Sequence, residues 1–186
     1  MPTWPEISRS VYGAWRLARL DAGGMTYFDL SVGGFWRSFG AAALVLPLYI
    51  YFVAVTFHGT EASMTVYVVV KALTYAAGWI AMPVVMVGLA PLLGVSARYI
   101  DFIVASNWGS ILRTALFIPI NTLAGFGEAS TAFGALLYLA SMAAALAYQW
   151  FITRASLQTT NITTSGLVIV DLLLGILVVI LFGRLI

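Results

Sequence analysis

Residues 39–57 read FGAAALVLPLYIYFVAVTF, and no charged side chain interrupts them. A hydrocarbon core about 30 Å thick is crossed by a helix of about 20 apolar residues. In lipid the backbone amides must find partners inside the protein, which a helix supplies from its own chain. This stretch therefore predicts a membrane-spanning helix, with Pro47 as a mid-span kink. Trp36 and Arg37 anchor its start, and Ser31 with Gly33-Gly34 marks the turn before it.

Toward the C-terminus the same reading repeats. A second span is predicted over 66–93, long enough to tilt, with Pro83 and Pro91 bending it or ending it early. Arg98, Asp101, Asn107 and Arg113 interrupt 95–125. There the sequence predicts a short interfacial helix over 97–105 and then a third span over 108–123, its far end distorted by Pro119 and Asn121. If this region were instead a re-entrant pair, the C-terminus would return to the side of the N-terminus. The fourth span, 131–152, is rich in Ala, Gly and Ser, which lets helices approach closely. A polar, Thr-rich loop over 153–165 leads to a fifth span over 164–182, with Asp171 inside it. Long continuous apolar runs exclude a membrane barrel, which shows short alternating segments. No internal repeat of the kind common in transporters is visible.

Composition agrees. Of 186 residues 62% are hydrophobic and 9% charged, whereas a soluble domain is about a quarter charged. The chain has too few polar side chains to cover a watery surface. The expected fold is an all-α, polytopic transmembrane bundle of about five spans in residues 39–186. Residues 1–38 form a cytoplasmic amphipathic helix and linker. No cleavable signal peptide is predicted, because the first apolar run lies behind a basic segment and lacks a small-residue cleavage pattern.

Thr3 caps a helix predicted over 5–22, with Pro5 and Glu6 in its first turn and Gly23-Gly24 at its end. Ile7, Val11, Ala14 and Ala18 recur at helical spacing among Arg9, Arg16 and Arg19. Trp4, Tyr12 and Trp15 are rings suited to headgroup depth. The helix lies along the membrane face, or packs on the ends of the spans; the two are compatible. With the N-terminus cytoplasmic, Arg9, Arg16, Arg19, Arg37, Arg98, Arg113 and Arg154 lie inside or toward the inside, and only Lys71 and Arg184 lie toward the outside. That is the bias of the positive-inside rule.

Ionisable groups within a membrane are expensive and are functional candidates by default. Asp171 and Arg113 each lie about six residues, or roughly 9 Å of rise, from the predicted start of a span. They should share a depth. They are either a proton or ion relay, a polar site for a headgroup, or a structural ion pair. Asp101 competes with Asp171 for Arg113. Lys71 either pairs with Glu128 or Glu61, binds a lipid phosphate, or snorkels to the interface. Asn121 either binds a substrate or satisfies backbone groups freed by Pro119. Asn107 and Gln149 are further polar groups near span ends.

No catalytic, cofactor-binding or metal-ligating residue is predicted. The chain has no Cys and one His, His58, so it offers neither a thiolate nor a multi-histidine site. No Gly-rich phosphate loop, zinc-protease or serine-nucleophile motif occurs. The aromatics suit interfaces and helix packing and imply neither pigment nor quinone. The basic residues fit anionic lipid headgroups in the bilayer better than nucleic acid. The expected partners are lipid and either further copies of the chain or another membrane protein.

Four stretches resemble the Yip1-domain membrane proteins, particularly the small bacterial members, over about residues 35–186. They are Phe35-Trp36-Arg37-Ser38-Phe39, Ala90-Pro91-Leu92, Tyr99-Ile100-Asp101-Phe102-Ile103-Val104-Ala105, and Tyr148 to Arg154 running on to Val170-Asp171-Leu172-Leu173-Leu174. The acidic tract and Gly-Pro element of eukaryotic members are not evident. The resemblance implies five spans, a bacterial inner membrane and a non-enzymatic role, with no catalytic residues to carry over. A scaffold or accessory subunit that binds partners or lipid is the expected function. The alternative is a small-solute or proton-coupled transporter subunit using Asp171 and Arg113.

Overall fold

The computed structural model describes residues 1–55, 57, 62–123 and 132–185. Seven α-helices appear among them, with no strand. They are α1 (Trp4–Ala18), α2 (Val32–Ser38), α3 (Gly40–Val55), α4 (Met64–Leu92), α5 (Tyr99–Leu123), α6 (Ala132–Leu157) and α7 (Asn161–Gly183). Five helical stretches are long and apolar enough to cross a membrane, namely Val32–Val55 (α2 with α3), α4, Ser96–Thr122, α6 and α7. The chain is an all-α, multi-pass membrane protein.

Several boundaries differ from those read in the sequence. Gly33 and Gly34 do not form a turn before the first span. They lie in the first turn of α2, where the Gly34 N–H donates to the Ser31 side chain at 3.0 Å. A Cβ on Gly34 would sit 1.9 Å from the Asp29 carbonyl oxygen, so only glycine allows this approach. α4 continues through both prolines to Leu92. Residues 99–123 are one unbroken helix rather than an interfacial piece and a span. The Thr-rich loop shrinks to 158–160, with Thr160 capping α7 by accepting from the Thr163 N–H.

α1 begins where capping chemistry predicts. Thr3 accepts from the Glu6 N–H, and proline occupies the first turn. It ends at Ala18, ahead of Gly23-Gly24, and Leu20 follows in the left-handed region at φ 59°. Its fully buried face is Ser10, Gly13, Ala14 and Leu17, and Ile7 and Ala18 of the predicted stripe pack half-buried against the same core. Small residues let α1 lie close on α5 and α6. The Tyr148 hydroxyl seals the contact by donating to the Ala14 carbonyl at 2.8 Å. Trp4, Tyr12 and Trp15 stay exposed, so the helix both packs on the spans and presents rings outward. Arg37 clamps the segment through Glu6 and Asp29.

α5 is the central helix and touches α1, α2, α3, α4 and α6. Between apolar helices in lipid, water exclusion contributes little, so close packing and interhelical hydrogen bonds hold the bundle. Gly109 permits the α5–α6 approach, since a Cβ there would meet the Ile152 side chain at 2.5 Å. Tyrosine hydroxyls stitch neighbours by donating to helix carbonyls: Tyr75 to Ala42 at 2.6 Å, Tyr49 to Lys71 at 2.9 Å and Tyr99 to Pro83 at 3.2 Å. Such bonds contribute about 0.6 kcal/mol each in membrane bundles. Two buried clusters, around Trp108 and Ile152 and around Met86 and Phe102, lie near the start of α5 and the end of α6. Beyond Val168, α7 buries no residue.

Candidate functional site

Four spans close a ring of neighbour contacts, α4 to α5, α5 to α6, α6 to α7 and α7 back to α4. Inside the ring is a chamber of about 120 Å³. α5 dominates its polar lining, because Ser106, Ser110 and Arg113 recur at i, i+4 and i+7 on one helix face, with Asn107 beside them. α6 contributes Gln149 and α7 contributes Asp171. Trp79 and Pro83 of α4 also border the chamber. Pro83 lacks an N–H, so the Trp79 carbonyl has lost its ordinary helical donor.

The Arg113 guanidinium donates from Nη1 to the Gln149 side-chain oxygen. Among the described residues no ion pair joins Arg113 to Asp171, although both line the chamber. At 1.5 Å of rise per residue Arg113 lies roughly 21 Å along α5 from Tyr99, and Asp171 roughly 15 Å along α7 from Asn161. Both are deeper than the sequence arithmetic gave, because both helices start earlier. Measured this way the two depths differ by about 6 Å, yet both side chains line the same chamber. Asn107 donates to the Ser38 hydroxyl at 2.9 Å, while the buried Ser106 hydroxyl has no partner. The chamber exceeds the space one water needs, and its walls offer the several polar contacts a buried water requires.

Arg113, Gln149 and Asp171 also form the polar end of a larger groove of about 560 Å³ between α6 and α7. The rest of that groove is apolar, and Leu172, Gly175, Ile176 and Val179 along it are exposed to the surroundings of the bundle. A third space of about 420 Å³, lined by Tyr49, Phe52, Tyr75 and Trp79, also borders Arg113. Arg113 also borders a space of about 290 Å³ between α5 and α6, so a charged centre meets one polar chamber and three apolar spaces. This arrangement can hold a polar head beside an apolar tail.

The remaining sequence candidates lie elsewhere. Asp101 does not reach Arg113. They are on one helix about three turns apart, and Asp101 pairs with Arg98 at 3.2 Å. Lys71 is on α4 with its ammonium 5.2 Å from the centre of the Tyr67 ring; Glu61 and Glu128, its proposed partners, lie outside the described residues, as does His58. Asn121 donates to the Phe117 carbonyl at 2.7 Å and to Ser141 on α6 at 3.1 Å. It does not serve the Ala115 carbonyl that Pro119 leaves free, so its role is to fasten α5 to α6. Among the described residues no three His, Cys, Asp or Glu side chains gather as a metal site. Sequence reasoning did not assign Gln149, Ser106 and Ser110 to the site. The spacing of 106, 110 and 113 was the signal for the two serines.

Comparison with known proteins returns no matching family model, curated protein or solved structure. Fold and site together define a multi-pass helical membrane protein with a polar chamber among its spans.

Proposed function

We propose that this protein is a non-enzymatic membrane protein that binds a lipid-like amphiphile, with the polar head against Arg113, Gln149 and Asp171 and the tail in the groove between α6 and α7. The observation that carries this reading is that the same three residues line both the chamber and the apolar groove. An arginine near the centre of a span costs about 2.5–3.5 kcal/mol. A purely structural pair would recover much of that by direct contact with Asp171. Here the guanidinium has a neutral amide partner and keeps donors free for a ligand. The clustering of Arg9, Arg16, Arg19, Arg37, Arg98 and Arg154 at one end of the bundle supports a cytoplasmic N-terminus. The likeness to Yip1-domain proteins supports a bacterial inner-membrane protein with an accessory or scaffolding role.

Transport is the second reading, favoured by Asp171 facing the chamber rather than sealing against Arg113. One pair of measurements separates the two. Native mass spectrometry of gently extracted protein should show a retained amphiphile that Arg113→Gln loses, while proteoliposomes show no solute or proton flux. Flux through wild type that Asp171→Asn abolishes would replace binding by transport. Neither a retained amphiphile nor flux would leave the chamber a structural feature.

A further inference from the structure

We infer that a second pocket, between the α4–α5 turn and the α6–α7 turn, binds the anionic oxygens of a phosphate ester through Arg98 and Arg154. The space measures about 520 Å³ and is lined by both arginines together with Gln158, Thr159 and Thr160. It shares no lining residue with the chamber around Arg113, so this inference does not depend on the function proposed there.

Charge accounting favours an anion. Arg98 has one carboxylate partner, Asp101, which does not line the pocket. On the pocket side its Nη2 donates to the neutral Gln158 side chain at 2.8 Å. Arg154 donates from Nε to Asn161 at 3.1 Å and has no carboxylate partner among the described residues. Two cations from different helices thus border one space with no anion between them. Their repulsion is relieved by a bound negative charge. Unused guanidinium N–H groups match phosphate oxygens in planar, two-pronged fashion, and threonine hydroxyls supply further donors. The pocket lies at the helix ends that also carry Arg37 and the basic α1 segment. Basic pockets at this level between spans suit lipid headgroups. A soluble phosphate has the same chemistry, and the test separates the two sources.

Full-length protein in a neutral detergent is offered phosphatidylglycerol or phosphatidylcholine, and lipid retention is read by native mass spectrometry. Inorganic phosphate is added in a separate series while the unfolding temperature is followed. The site predicts binding about tenfold weaker in Arg98→Gln/Arg154→Gln, the loss expected for a charge-assisted contact of about 1.4 kcal/mol or more. Arg154→Gln alone falls between, and Arg154→Lys keeps most of the binding. Retention of phosphatidylglycerol without a response to phosphate identifies the headgroup. A temperature rise with phosphate that the double variant loses identifies the free ion. Equal binding of all three probes by wild type and Arg154→Gln overturns the site. Arg154→Gln also serves should the double variant fail to fold, since it severs only the contact to the exposed Asn161.

Discussion

Arg113 on α5 gives its hydrogen bond to Gln149 on α6, while the carboxylate of Asp171 across the same chamber stays out of contact. The amide therefore supports a charged side chain that would otherwise face apolar surroundings on several sides. Gln149→Leu should destabilise the bundle by about 1.5–3 kcal/mol, the range for a hydrogen bond to a charged group. Arg113→Met should cost less, because it removes the charge that needs support. The double variant should then be more stable than the sum of the two losses allows, with a coupling of about 1–2 kcal/mol. Reversible unfolding in mixed micelles measures all three. Strict additivity would mean that the two side chains do not support each other.

Gly34 and Gly88 make a matched pair of tests. Adding one methyl group at Gly34 drives a Cβ into the Asp29 carbonyl, which belongs to the backbone and cannot swing aside. Gly34→Ala should cost about 3 kcal/mol, at the upper end for overpacking. It should also loosen the clamp that Arg37 makes with Glu6 and Asp29. At Gly88 a Cβ meets nothing within 4 Å, so Gly88→Ala should leave stability within about 0.5 kcal/mol of wild type. Comparable losses in both variants would contradict the close approach at Gly34.

Much of this architecture was legible because lipid imposes so simple a rule. Residues 40–55 and 164–182 are exposed or half-buried over most of their length, so their composition alone identifies them. Sequence and structure part where polar residues lie inside helices. Thr153, Ser156 and Thr164 each turn a hydroxyl back to the carbonyl four residues earlier, at 2.8, 2.7 and 2.9 Å. Helix interiors accommodate such residues in this way, so α6 and α7 extend into the supposed loop. The same holds for α5, where Asn107 and Arg113 belong with Ser106 and Ser110 to a polar face rather than interrupting the helix. Gln149 could not be assigned from spacing on its own helix. Its role depends on which helix lies opposite, and that is settled by tertiary contacts such as Gly109 against Ile152.

Acid should loosen the N-terminal segment. A hydrogen bond from Arg16, helped by the Gly23 N–H, holds the Asp21 carboxyl below its ordinary 3.8. The Ser31 hydroxyl and N–H, with Arg37 beyond them, do the same for Asp29. Both groups are depressed while the segment keeps its fold, so the loosened segment binds more protons once pH drops toward 3.8. That fold is therefore intact above this value. It weakens as pH falls from there through the lower folded-state values. The chain has no cysteine, so a spin label on Ser8→Cys reports α1 alone. Its mobility should stay constant at neutral pH and rise below about pH 4, and the rise should begin at higher pH in Arg16→Gln. A transition near pH 6 would assign the effect to other groups.

Five spans put the two ends of the described chain on opposite faces of the bilayer, and the proposed orientation is open to a direct test. Arg9, Arg16, Arg19, Arg37, Arg98 and Arg154 gather at the end where α1 packs, whereas Lys71 and Arg184 lie toward the other. Basic residues are retained on the cytoplasmic side. Ser8→Cys and Leu185→Cys, each the sole thiol in its variant and both at exposed positions, offer a direct reading. In intact cells a membrane-impermeant maleimide should modify Leu185→Cys and leave Ser8→Cys untouched until the membrane is opened. The reverse pattern would invert the orientation and leave the five spans intact. Labelling of both from outside would require an even number of crossings. That outcome would contradict five full crossings, and a re-entrant third region is the rearrangement that its polar residues would favour.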